Sequence, residues 1–170
     1  MATALVVTAP GDRSVLAVQD LAPREPGPGE ARVRVHAAGV NFIDVYQRQG
    51  VYPMPTPFVL GMEGAGIVES VGPGVDLAVG ARVAWCMVPH SMTELAVLPA
   101  DRLVPVPDGV GLDIAAAAML QGLTAHFLTT STYAVGEGTV ALVHAAAGGV
   151  GQLLTQLVTA KGGTVIATAS

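Results

Sequence analysis

The chain has 170 residues, 51% of them hydrophobic and 12% charged, a composition typical of a globular protein with one core or two small ones. Its net charge of −5 comes from scattered acidic residues and argues against a nucleic-acid-binding face. The single cysteine, Cys86, excludes an intrachain disulfide and a multi-cysteine zinc site, and we expect it to be a small buried hydrophobe. We find no signal peptide and no apolar segment long enough to span a membrane, which predicts a cytoplasmic protein.

Short strand-like segments separated by glycine and proline make up the N-terminal part of the chain. Residues 31–35 alternate, with Val33 on one side and Arg32 and Arg34 on the other, as in a half-buried antiparallel strand. Many short strands at this spacing predict a small β-barrel or sandwich. The predicted strands are residues 5–8, 15–19, 31–35, 64–71, 82–88, 94–98 and 103–106.

Helix-favouring segments interrupt and then follow these strands. Residues 41–49 are predicted to form a short helical turn, and residues 52–57, with three prolines, a loop. After residues 107–109 the sequence becomes alanine-rich and helical, with Asp113 near the helix N-cap. Gly122 is predicted to break this segment into two helices. We place one domain at residues 1–109 and a second at residues 110–170.

Residues 139–168 have the pattern of strand, tight turn, helix and strand. Residues 140–143 have the length and β-branched content of a buried parallel strand, and residues 164–168 predict a second strand. Between them an apolar helix face is formed by Val150, Leu153, Leu154, Leu157 and Val158. Gly162 and Gly163 end the helix. This order is that of the first unit of a dinucleotide-binding fold.

The turn between this strand and helix is built from small residues. Its pattern is Ala146-x-Gly148-x-x-Gly151, an alanine version of the glycine-rich phosphate-binding motif. A diphosphate must approach the main-chain N–H groups at a helix start, where the helix dipole also favours negative charge. We expect those groups to belong to Ala147, Gly148 and Gly149. The alternative is a tight turn that binds nothing.

Several stretches together resemble the quinone oxidoreductase (zeta-crystallin-like) family of the zinc-independent medium-chain dehydrogenase/reductases. They agree in order and spacing across essentially the whole chain: residues 39–50, residues 61–66 with Gly72, residues 98–107, residues 121–125 and residues 144–151. The resemblance implies an α/β chain with a GroES-like β-barrel domain. An incomplete Rossmann fold follows it, represented here by its first βαβ unit. NADPH is expected in the cleft between the two domains. The full-length family members are expected to be homodimers.

The zinc-binding members of this superfamily place a cysteine and a histidine where this chain has Asn41 and Met62. Neither asparagine nor methionine is a usual zinc ligand. The sequence therefore predicts a reductase that contains no metal.

The resemblance implies roles for individual residues. Asn41 and Tyr46 are the candidates near the hydride, because an amide and a phenol can hydrogen-bond the nicotinamide carboxamide or a quinone oxygen without carrying charge. Tyr52 is the candidate wall of the quinone pocket. The expected cofactor-binding residues are Asn41, Phe42, Asp44, Tyr46, Thr124, Ala147, Gly148, Gly149 and Val150.

A structural alternative accompanies most of these roles. Asn41 would cap the helix that follows it, and Tyr46 would lie in the core. Asp44 would pair with Arg48 on a helix surface. Thr124 would make a hydrogen bond between helices. Glu63 is expected to be a buried structural carboxylate that holds the backbone.

Three functions follow from the resemblance. The first is NADPH-dependent reduction of a quinone, the second is reduction of an activated double bond by an enoyl reductase, and the third is a non-catalytic remnant. Residues 164–170 contain no acidic residue to bind an NAD ribose, which favours NADP. Because the sequence stops after the second strand of a sheet that normally has about six, we expect a fragment or truncated product with weak or no activity alone.

Overall fold

The computed structural model describes residues 1–169. The chain forms two compact units, the first of residues 1–119 and the second starting at Leu120. None of the helices in the described part of the chain is long and apolar enough to cross a membrane.

The first unit is made of two antiparallel sheets. One has the order β2-β1-β4 and the other the order β7-β3-β5-β6-β8, and a bridge between Ala4 and Thr93 connects them. The strands are β1 Ala2–Val7, β2 Leu16–Leu21, β3 Glu30–Ala38, β4 Phe58–Val59, β5 Glu63–Val71, β6 Arg82–Cys86, β7 Leu95–Pro99 and β8 Val104–Pro105. Helix α1, Phe42–Gln49, follows β3. The many short strands predicted from the sequence are confirmed.

The alternating pattern of β3 explains the core of the larger sheet. Val33 is fully buried, whereas Arg34 is exposed. Strand β3 pairs antiparallel with both β5 and β7, as the alternation predicted. The buried cluster on this sheet includes Val33, Val68, Val83, Trp85 and Leu98.

Helix α2, Leu112–Phe127, begins against the first unit. Its buried residues Leu112, Ala115 and Ala116 pack with Ala65 and Ala84 of the sheet. The two compact units therefore divide within α2, while the predicted boundary at residues 109–110 lies before the helix and stays a prediction.

One expectation for this helical segment was wrong. Gly122 does not break the helix, which continues through it to Phe127 and then widens into a π-helical turn, Leu128–Thr132. A glycine inside a helix costs only about 1 kcal/mol relative to alanine, so the high helix propensity of the neighbouring alanines and leucines outweighs this cost. Asp113 lies in the first turn, near the N-cap as expected, where its negative charge interacts favourably with the helix dipole.

The second unit contains the predicted strand, turn, helix and strand. They are β9 Val140–Val143, α3 Gly149–Ala160 and β10 Thr164–Ala167, and β9 and β10 pair in parallel. Gly162 follows α3 with a φ of +80°, a left-handed conformation that glycine adopts without strain. The fold class predicted from the sequence is confirmed.

Strand β9 is less buried than its composition predicts. Val140 and Leu142 are 65% and 58% exposed, and only Val143 in this strand is buried. The expectation of a buried strand was wrong because a helix covers one face of the two-stranded sheet and leaves the opposite side chains in water.

Candidate functional site

Asn41 is the N-cap residue of α1 and is buried. Its extended backbone directs its N–H to the carboxylate of Asp44, which accepts a hydrogen bond of 2.8 Å through Oδ2. The side chain of Asn41 accepts in turn from the N–H of Asp44, so the two residues form the reciprocal arrangement found at well-capped helix starts. The structural alternative for Asn41, that it caps the helix, is thus realised.

The side chain of Asn41 contacts Glu63 at the start of β5. Its Nδ2 donates a hydrogen bond of 2.7 Å to Oε2 of Glu63, which is fully buried. The prediction that Glu63 is a buried carboxylate is confirmed, and the sequence reasoning missed its contact with the Asn41 side chain. The two residues are 22 positions apart, on a helix start and a strand, so local patterns carry no signal for their contact.

Asp44 is 97% buried and only one of its oxygens is hydrogen-bonded, because Oδ1 has no partner among the described residues. Burial raises the pKa of its carboxyl above the ordinary value, and the nearby charge of Glu63 raises this pKa further, against the lowering effect of the Asn41 N–H.

The expected ion pair between Asp44 and Arg48 is wrong. No ion pair joins them, and the Nε of Arg48 is buried without a hydrogen-bond partner in the described chain.

The position that holds histidine in the zinc enzymes is occupied by a buried methionine. The side-chain Nε2 of Gln47 donates a hydrogen bond of 3.3 Å to the sulfur of Met62. Within residues 1–169, histidine, cysteine, aspartate and glutamate form no group of three that could hold a metal ion. The thiol of Cys86 is half-buried. Burial is the larger cause that raises the pKa of this thiol, and the charge of Glu63 raises the same pKa further.

Three aromatic rings form an exposed row beside Asn41. Phe42 and Tyr46 meet edge to face with ring centres 5.1 Å apart, and Tyr46 meets Tyr52 in the same way at 5.5 Å. Tyr46 is 37% exposed, so the alternative that places it in the core is wrong. Both phenol groups lie on a surface where a planar ligand can stack against aromatic side chains.

The turn that opens α3 shows main-chain N–H groups at the helix start. Gly148 is the N-cap in an extended conformation, and its N–H donates to the carbonyl of Ala145 at 2.9 Å. This amide is therefore used inside the turn, which corrects the expectation that it faces a diphosphate. The N–H groups of Ala147, Gly149 and Val150 donate to no group in the described chain, as expected for the first turn of a helix.

Close packing explains why this turn needs small residues. A Cβ on Gly151 would lie 2.3 Å from the main-chain carbonyl oxygen of Ala145, so the backbone of the turn would have to shift. A Cβ on Gly149 would lie 1.9 Å from Oε1 of Gln121, which is the end of a flexible side chain. Ala145 has a φ of +52°, which is uncommon for a residue other than glycine. Residue 121 lies in a stretch that carries the family resemblance, but the sequence predicts no role for Gln121 at this turn, because its side chain reaches the turn from α2, far away in sequence.

Thr124 and His144 have local partners in the second unit. The hydroxyl of Thr124 donates to the carbonyl of Leu120 over 2.7 Å, one turn earlier in the same helix, so the expected hydrogen bond between helices is wrong. The Nδ1 of His144 lies 3.0 Å from the hydroxyl oxygen of Thr168.

The structure therefore assembles the candidate residues into two groups. The first unit holds Asn41, Phe42, Asp44, Tyr46 and Tyr52 on or just after α1. The second unit holds Ala147, Gly148, Gly149 and Val150 at the start of α3.

Comparison with known proteins places this architecture in a family. Residues 27–108 match the alcohol dehydrogenase GroES-like domain. The whole chain is 47% identical to the quinone oxidoreductase of Pseudomonas aeruginosa, covering 53% of that protein. The chain is similar over its whole length to members of the quinone oxidoreductase family of the medium-chain dehydrogenase/reductases. It spans about half the length of the curated relatives it matches.

Two other proteins extend this comparison. A mycobacterial protein, Rv1454c, solved in complex with NADPH, matches the whole chain at a TM-score of 0.96 and 44% identity, over 53% of its own length. The 2-haloacrylate reductase of a Burkholderia species is 43% identical over 85% of this chain and 46% of its own length.

Proposed function

We propose that this chain binds NADPH and contributes to the reduction of a quinone. The observation that carries this proposal is the start of α3, where the N–H groups of Ala147, Gly149 and Val150 are unused and no side chain between residues 145 and 149 is larger than methyl. Such a helix start accommodates a phosphate group through hydrogen bonds and through the helix dipole. The NADPH complex of the mycobacterial relative supports the choice of cofactor.

The residues of the chain fit the cofactor without a metal or a nucleophile. Ala147, Gly149 and Val150 would donate to the diphosphate, and Gly148 would keep the approach open. When bound, NADPH supplies the hydride that reduces the quinone. Asn41 would hold the nicotinamide carboxamide through an uncharged hydrogen bond.

The aromatic row gives the quinone a binding surface. Phe42, Tyr46 and Tyr52 expose ring faces and edges, and a flat quinone can stack against them while a phenol O–H donates to its oxygen. We assign this hydrogen bond to the hydroxyl of Tyr46, because the ring of Tyr46 lies between the other two rings. A homodimer and a cytoplasmic location belong to the same proposal.

The 2-haloacrylate reductase relative favours a second candidate, reduction of an activated double bond. The same cofactor would serve both reactions, so the substrate distinguishes them. NADPH oxidation followed by absorbance, with 1,4-benzoquinone and with 2-chloroacrylate as substrates, separates the two candidates.

Titration of NADPH against the 170-residue chain, followed by nicotinamide fluorescence, tests the proposal itself. We expect saturable binding. An unchanged fluorescence at high cofactor concentration would instead support the non-catalytic alternative.

A further inference from the structure

Gln152, near the start of α3, makes two hydrogen bonds with the turn that opens this helix, and the proposed function assigns it no role. Its side-chain Nε2 donates to the carbonyl oxygen of Ala147 over 2.7 Å, and its main-chain N–H donates to the carbonyl oxygen of Gly148 over 2.9 Å. The bond to Gly148 is the first one of the helix, since the carbonyl of an N-cap residue accepts it. The bond to Ala147 lies outside this regular pattern and depends on the glutamine side chain.

The peptide group that joins Ala147 to Gly148 is held at both ends. Its N–H donates to the carbonyl oxygen of Ala145 over 2.9 Å, and its C=O accepts from Gln152. The N–H and the C=O of a trans peptide point in opposite directions within one plane, so these two bonds fix the rotation of that plane. In the chain, the held carbonyl lies between the unused N–H groups of Ala147 and Gly149.

The small residues of this turn supply little stiffness of their own. Gly148 is in an extended conformation, with φ −76° and ψ 169°, and a residue without a Cβ can adopt many others. Residues 145–147 are alanines, so no large side chain within the turn restrains the peptide. The absence of large side chains that lets a phosphate approach therefore leaves the Ala147 carbonyl dependent on a partner from α3.

We propose that Gln152 is a positioning residue that holds the carbonyl oxygen of Ala147 against α3 and away from a bound diphosphate. A carbonyl oxygen only accepts hydrogen bonds, as phosphate oxygens do, so the two repel each other. A released carbonyl could rotate into the space beside the N–H groups of Ala147 and Gly149, where it would oppose the ligand. This inference rests on the proposed function, because it assumes that a diphosphate reaches the turn.

Gln152→Met tests this role, because methionine has a similar length and helix propensity but no N–H donor. Gln156→Met is the matched control, since Gln156 is also an exposed glutamine of α3 and lies one turn beyond Gln152. Exchange of the Gly148 amide proton with water, measured by NMR on the ligand-free chain, reports whether the peptide is held. We expect this exchange to be roughly fivefold faster in Gln152→Met, as for one lost hydrogen bond, and unchanged in Gln156→Met.

Fluorescence titration measures the consequence for NADPH. We expect binding about fivefold weaker to Gln152→Met than to wild type, and unchanged binding to Gln156→Met. Gln152→Glu is a second variant, because an ionised carboxylate cannot donate to the Ala147 carbonyl and adds a negative charge near the helix start. It should bind NADPH more weakly than Gln152→Met at low ionic strength. The side chain of Gln152 is exposed, so the urea midpoint of Gln152→Met should stay close to that of wild type, which separates positioning from stability.

The outcomes distinguish this inference from the function on which it rests. Faster Gly148 exchange and weaker NADPH binding in Gln152→Met, with neither change in Gln156→Met, would support it. If Gly148 exchanges equally fast in wild type and Gln152→Met, the side chain does not hold the peptide and the inference is overturned alone. Faster exchange with unchanged NADPH affinity also overturns it and leaves NADPH binding intact. If wild type does not bind NADPH, the proposed function is overturned together with the inference.

Discussion

The N–H of Asn41 donates a hydrogen bond to Asp44 while its side-chain amide donates to Glu63, at 2.8 and 2.7 Å. One buried residue thus fixes the start of α1 with its main chain and contacts β5 with its side chain. The two carboxylates that accept these bonds are close enough for the charge of Glu63 to raise the pKa of Asp44. Stability and the proposed cofactor contact are therefore coupled at this helix start.

The first prediction concerns the pH dependence of stability at Asp44. Because the pKa of Asp44 is raised in the fold, its favourable contribution is fully present below the ordinary aspartate pKa of about 4 and is lost as pH rises through the folded value. Asp44→Asn keeps an acceptor for the Asn41 N–H and cannot ionise. We expect its free energy of unfolding, relative to wild type, to increase between pH 4 and pH 7 in urea titrations.

Asp12→Asn is the matched control for this measurement. Hydrogen bonds from the hydroxyl and N–H of Ser14 lower the pKa of Asp12, so its contribution is present above the ordinary pKa and lost on acidification. The relative stability of Asp12→Asn should therefore fall as pH rises. If both variants respond to pH in the same direction, the account of Asp44 is wrong.

The second prediction compares two glycines inside helices. Gly151→Ala places a Cβ 2.3 Å from the Ala145 carbonyl oxygen and 2.7 Å from the Cα of Ala146, so the turn before α3 must shift. We expect a loss of about 1–3 kcal/mol in the free energy of unfolding, as for other overpacked sites.

Gly122→Ala is its control in α2. A Cβ there meets no atom within 4 Å, so this variant should gain about 1 kcal/mol through helix propensity alone. Thermal unfolding followed by circular dichroism measures both variants. Similar stability changes for the two would contradict the close packing at Gly151.

The third prediction concerns the buried Trp85. Its indole N–H donates to the hydroxyl of Ser91 over 2.8 Å, and both residues are fully buried. Ser91→Ala leaves the indole N–H without its acceptor and should cost about 1–3 kcal/mol. Since Trp85 is the only tryptophan of the chain, its fluorescence during denaturant unfolding reports the change directly.

Ser70→Ala serves as the comparison. The hydroxyl oxygen of Ser70 is buried and has no hydrogen-bond partner in the described chain, so removing it should leave stability unchanged or raise it slightly. A large loss on Ser70→Ala would show that its hydroxyl has a partner in solution.

Local sequence patterns predicted the elements of the fold well. Glycine and proline between short apolar runs located most strands, and the small residues before Val150 located the turn and the start of α3. These signals are local because backbone conformation is decided by a few neighbouring residues. Gly122 was misjudged because one unfavourable residue does not outweigh a whole helix.

Side-chain partners and burial were harder to predict. The helical spacing of Asp44 and Arg48 favoured an ion pair, yet Asp44 is turned into the interior by its bond to the Asn41 N–H. The contact of Asn41 with Glu63 depends on how α1 packs on β5, which no local pattern records. Val140 and Leu142 are exposed for a similar reason, since burial depends on what covers the other face of the sheet.

The central claim, that a diphosphate binds at the start of α3, is tested most directly by comparing Gly148→Asp with Gly148→Asn. Both side chains are good N-caps of nearly equal size, and only the aspartate brings a negative charge to the proposed phosphate site. Their Cβ atoms meet the same neighbour, the Ala145 carbonyl oxygen at 3.2 Å. Both variants narrow the approach that Gly148 keeps open, so each should bind NADPH more weakly than wild type. Fluorescence titration at low ionic strength should show binding about tenfold weaker still to Gly148→Asp than to Gly148→Asn. Equal affinities of the two variants would contradict the claim.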